Sequence, residues 1–107
     1  MAFLLCYITH PDEATARRVS EHLVNKRFAA CANVFPIASA YWWQSAVQQE
    51  GEWVSIIKTR LDLEYLTEQE IQKIHPYEVP CIVRFEARAN AAYEQWIAAE
   101  TLPLVAR

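Results

Sequence analysis

From Phe3 to Thr9 the chain is apolar at almost every position, with β-branched and aromatic residues among them. A strand covered on both faces gives that pattern, so this run is expected at the centre of a sheet. His10-Pro11 ends it, with His10 read as a turn residue. Asp12 is placed to cap a helix, and Glu13 falls in the first turn, where unpaired backbone N–H groups favour a negative charge. Ala16, Val19, Ser20 and Leu23 then recur at helical spacing, while Arg17, Arg18 and Glu21 lie elsewhere on the wheel. The spacing predicts an amphipathic helix ending near Lys26-Arg27, with His22 on its solvated side.

The apolar stretch Phe28–Phe35 leads into a second strand. Pro36 has no N–H to give a ladder, so this strand must bend there or lie on an edge. It continues into the aromatic segment Tyr41-Trp42-Trp43. Residues 44–52 are polar and read as a turn, and Trp53–Thr59 as a third strand. Leu61–Ile74 follows helical spacing through Leu63, Leu66, Glu70 and Ile74. His75-Pro76-Tyr77-Glu78-Val79-Pro80 is a stiff loop, because its prolines fix φ and disfavour helix before them. Cys81–Phe85 is the fourth strand, and Ala91–Glu100 a closing helix.

The order β-α-β-β-α-β-α predicts a single α+β domain over residues 1–107: a ferredoxin-like β-α-β-β-α-β sandwich with an additional C-terminal helix. A compact domain of this size has a radius of gyration of about 13 Å. The third strand, extended back to Val47 and on to Arg60, would run about 45 Å. It outruns the domain, and alternation along its partner puts tryptophans on both faces of the overhanging ribbon. An aromatic ribbon that one chain does not cover invites pairing with further copies.

Composition narrows the chemistry. Ten Lys and Arg against 13 Asp and Glu leave a net charge of −3, with no basic run to meet phosphates, so neither nucleic acid nor a membrane surface is an expected partner. The single glycine, Gly51, is too few for a phosphate-cradling or dinucleotide loop. Cys6, Cys31 and Cys81 form no CxxC pair and suit a reducing cytoplasm as buried thiols. No nucleophile motif such as G-x-S-x-G is present, and the chain reads as a non-enzyme. His75, in its loop, is the leading candidate metal ligand, with Cys31 second. Lys58, Tyr77, Glu78, Trp43 and Glu52 are the polar and aromatic groups expected to line a ligand cleft.

Five segments then fall in register. Pro11-Asp12-Glu13-Ala14-Thr15-Ala16, Phe28-Ala29-Ala30-Cys31-Ala32-Asn33, Ser39-x-Tyr41-x-Trp43, Glu52 with Lys58-Thr59, and His75-Pro76-Tyr77-Glu78-Val79-Pro80 resemble the CutA divalent-cation tolerance proteins. The resemblance implies a PII-like homotrimer held by the long hairpin. It also implies a part in the response to copper and other divalent metal ions, with copper or another divalent metal as the bound species. Bacterial members with a proposed copper site resemble a pattern of Cys closing the first strand and two histidines before Pro-Tyr. Here those positions hold Ile8, Ile74 and His75, which leaves one ligand of the set. The acidic residue usual after Val-Pro is Cys81, and the usual hairpin glycine is Ser45. A divalent-cation tolerance trimer that binds metal weakly is the leading expectation. The alternative is a PII-like small-molecule sensor or adaptor with its ligand between subunits.

Overall fold

The computed structural model describes residues 2–103. Four strands, β1 (Phe3–His10), β2 (Cys31–Trp43), β3 (Ala46–Thr59) and β4 (Ile82–Ala87), form one antiparallel sheet in the order β2-β3-β1-β4. The helices are α1 (Glu13–Asn25), α2 (Glu64–Ile74), entered through a 3₁₀ turn at Leu61–Leu63, and α3 (Ala91–Glu100). This is the ferredoxin-like order with an added terminal helix.

Alternation along β1 decides what packs where. Leu4, Cys6 and Ile8 point to one face and join Val19 and Leu23 of α1, Ile57 of β3 and Ile71 of α2 in the main core. Both helices cover that face, α1 through the Ala16, Val19, Ser20 and Leu23 stripe its spacing shows and α2 through Thr67 and Ile71, whereas Leu66, which helical spacing puts in the α2 stripe, is exposed. Asp12 caps α1 as expected, its carboxylate accepting from the Thr15 N–H at 2.7 Å. The other face carries Leu5, Tyr7 and Thr9 of β1, Lys58, Ile56 and Val54 opposite them on β3, and Phe85 and Val83 on β4. Here α3 covers one end, where Tyr93 meets Phe3 edge-on and accepts a hydrogen bond from Lys58 Nζ at 3.2 Å. Much of the rest is open: Val83 and Phe85 are exposed.

Pro36 lies on β2, which is an edge strand, the second of the two arrangements its missing N–H allowed. The polar stretch 46–52, expected as a turn, is strand. Only Gln44 and Ser45 make the turn, with φ of 51° and 66°. Both values are left-handed, as a two-residue type I′ hairpin requires, and neither residue is the glycine or asparagine that adopts them cheaply. Pairing continues to Trp43↔Ala46, so ladder bonds and not hydrophobicity carry the strand through those polar positions. The ribbon gives the molecule extents of 46 × 30 × 22 Å. At its tip Trp42 is 73% exposed and Val47 51% exposed. Those side chains do not fold back over their own sheet.

Two other expectations change. His22 is half-buried against Glu70 of α2, not solvated, and this contact holds the Glu70 carboxyl below its usual range. Cys81 precedes β4, which begins at Ile82 once the chain has cleared Pro80.

Candidate functional site

The segment after α2 crosses from one layer to the other. It starts on the helix-covered face, where His75 stacks on His10 with ring centroids 5.0 Å apart. Both ring nitrogens of His75 are in use: Nε2–H donates to the Thr9 carbonyl at 2.8 Å, and Nδ1 accepts from the Tyr77 N–H at 3.1 Å. That pair of partners fixes the neutral Nε2–H tautomer, and burial lowers the pKa in the same direction. Two residues on, the Tyr77 hydroxyl reaches the opposite face and donates to Glu52 Oε2 at 2.7 Å.

His10 is the last residue of β1 and fully buried, not part of an exposed turn. Its Nε2 shares a hydrogen bond with Ser55 Oγ, its strand neighbour's side chain on the same face, and its Nδ1 has no partner among the described residues. Burial pushes its pKa down to about 4, and His75 and Arg18 push the same way. Both partners of this Ser–His contact are fully buried, with the His75 ring stacked on His10.

On the open face a cavity of about 830 Å³ lies between the β2–β3 ribbon and the 76–81 loop. Tyr7, Tyr41, Trp43 and Tyr77 supply rings, and Glu50 and Glu52 point in from alternate positions of β3. Glu50 accepts from the Tyr41 hydroxyl, as Glu52 does from Tyr77. Burial first, and then the Glu52 hydrogen bond, raise the Tyr77 phenol well above its usual value. The donating phenol is therefore held protonated throughout the neutral range.

The structure brings some of the expected site residues together and separates others. Trp43, Glu52, Tyr77 and Glu78 all line this cavity. Lys58 does not: it pairs with Leu5 and lies under Tyr93, six residues along β3 from Glu52, or about 20 Å. Cys31 is its neighbour there, with Sγ 3.5 Å from the Tyr93 hydroxyl. Cys31 and His75 thus stand at opposite ends of the sheet, and no group of three His, Cys, Asp or Glu side chains suited to a metal occurs among the described residues. Glu50, another polar group expected at a cleft, lines the cavity as well, whereas His10 and Tyr41 are residues that pattern reading left in the background. Strand parity was the signal for the two ribbon residues, since Tyr41, Glu50 and Glu52 share a face once the register is known.

An α+β chain whose hairpin overshoots its own sheet and whose loop after α2 closes on that hairpin defines the ferredoxin-like class with a protruding ribbon. The CutA1 divalent ion tolerance protein family matches residues 4–100. The divalent-cation tolerance protein CutA of Thermotoga maritima is 37% identical over 95 residues, 88% of this chain and 94% of that protein. The crystal structure of CutA1 from Pyrococcus horikoshii superimposes with a TM-score of 0.91 at 35% identity, covering 94% of this chain and 99% of that one. CutA1 from Oryza sativa gives a TM-score of 0.90 at 30% identity over 95% of each chain. The chain belongs to the CutA divalent-cation tolerance family.

Proposed function

We propose that this protein acts in divalent-cation tolerance as a non-catalytic homotrimer of a reducing cytoplasm, binding copper or another divalent metal only weakly. The observation that carries the assembly is the overhanging ribbon, whose Trp42 and Val47 are more than half exposed on the single chain. Apolar surface of that kind is covered by association, and a sheet face with Val83 and Phe85 uncovered offers the complementary area. Weak metal binding follows from His75. Coordination needs one of its nitrogens, and each is already bonded to backbone. The reading as a non-enzyme is supported by the burial of the Ser55–His10 contact, and three free thiols suit a reducing compartment.

Native mass spectrometry tests both halves at once. Three chains with substoichiometric copper are expected at micromolar protein and equimolar metal. Tight copper uptake that survives in His75→Ala would remove His75 from the account, and a single-chain species would remove the trimer. A second reading, a PII-like small-molecule sensor or adaptor, is favoured by the open-face cavity. Its volume lies within the range of small-molecule sites and its rings and carboxylates converge.

A further inference from the structure

The open-face cavity points to a ligand class. Glu52 is only 6% exposed, yet it lines the cavity, and no Lys or Arg among the described residues forms an ion pair with it or with Glu50. Carboxylates are almost never buried unless paired with a cation. One oxygen of each takes a phenol proton, from Tyr77 and Tyr41 respectively, which fixes the carboxylate in place without neutralising it. Because Glu50 and Glu52 are alternate residues of β3, their side chains share a face about 6.6 Å apart along the strand. Between and around them stand Tyr7, Tyr41, Trp43 and Tyr77, whose ring faces attract cations and whose bodies shed water from a methylene chain.

We infer that this cavity binds an aliphatic di- or polyamine, with one ammonium on Glu52, a second on Glu50 and the methylene chain laid along the aromatic wall. A bare divalent metal fits less well. It would need several oxygens converging on one point, whereas these two carboxylates are spaced along a strand and ringed by hydrocarbon. The inference deepens the sensor reading and rests on it. All of the named groups come from one chain.

Isothermal titration of the intact protein with 1,4-diaminobutane, butylamine and 1,4-butanediol separates the possibilities. The diamine should bind, the monoamine about tenfold more weakly for want of the second charged contact, and the neutral diol not at all. Glu52→Gln should weaken the diamine by at least about tenfold. Glu50→Gln, at an exposed position that the fold does not need, should bring diamine affinity down to that of the monoamine. Equal binding of diol and diamine, no heat with the diamine at millimolar concentration, or displacement by stoichiometric magnesium would overturn the assignment. Sedimentation of the same samples keeps the tests apart: an intact trimer without heat refutes the ligand alone, and a dispersed chain refutes the assembly.

Discussion

Acidification should weaken this fold through one buried ring. His10 is fully buried, bonded at Nε2 to Ser55 and stacked on His75, with no acceptor at Nδ1 to receive a second proton. Protonation would place a charge beside the Arg18 guanidinium with only Asp12 in opposition, and burial holds the pKa near 4 against 6.5 for a free histidine. Above pH 6.5 the ring is neutral in both states and the proton has no effect. Between 6.5 and 4 the unfolded chain binds it and the native chain does not, so stability falls as pH drops, by about 3 kcal/mol across the window. Urea unfolding of parent and His10→Gln at matched protein concentration, from pH 7.5 to 4.5, isolates the contribution. Glutamine keeps a hydrogen-bonding group near Ser55 but does not titrate. The parent's stability should fall more steeply, by roughly 1 kcal/mol per pH unit near pH 5. Parallel curves, or a His10 imidazole resonance that titrates near 6.5, would refute the reasoning.

Three further outcomes follow from the packing. Ser45→Gly should stabilise the hairpin by about 1 kcal/mol, because glycine adopts the left-handed conformation that Ser45 holds at φ 66° without a Cβ clash; a melting temperature unchanged or lowered contradicts the turn assignment. Ile57→Ala, at a fully buried position between the helices and β1, should cost about 2–5 kcal/mol in denaturant unfolding. The Cys6 thiol, pushed up to about 12 by burial, should resist a thiol reagent in the native state and react only on unfolding, whereas the partly exposed Cys81 reacts first.

The fold was legible in the sequence because its elements obey single, local rules. An unbroken apolar run made β1 central, the Asp12 cap and a four-position stripe made α1, and Pro36 limited β2 to a bend or an edge, of which the fold takes the edge. The polar stretch 46–52 read as a turn by composition and entered the third strand only through the extension back to Val47, since cross-strand backbone bonds specify a strand there without apolar alternation. The site was half legible. Trp43, Glu52, Tyr77 and Glu78 do converge, because the Pro76–Pro80 loop returns across the ribbon. Lys58 was grouped with them through its place in the chain, but strand parity gives only the face, and its distance along β3 sets it under Tyr93. His10 was hidden for another reason. A histidine before proline looks like a turn, and only the stacking of His75 from a loop 65 residues later makes it core.

The claim on which the rest depends is that the ribbon is too long and too apolar at its tip to remain uncovered. Sedimentation equilibrium at micromolar concentration tests it most directly, on the parent and on a Trp42→Glu, Val47→Glu double variant. The parent should sediment at three times the chain mass of 12.4 kDa, and the variant should dissociate while keeping its helical and sheet signals. A parent that sediments as one folded chain at that concentration would contradict the account.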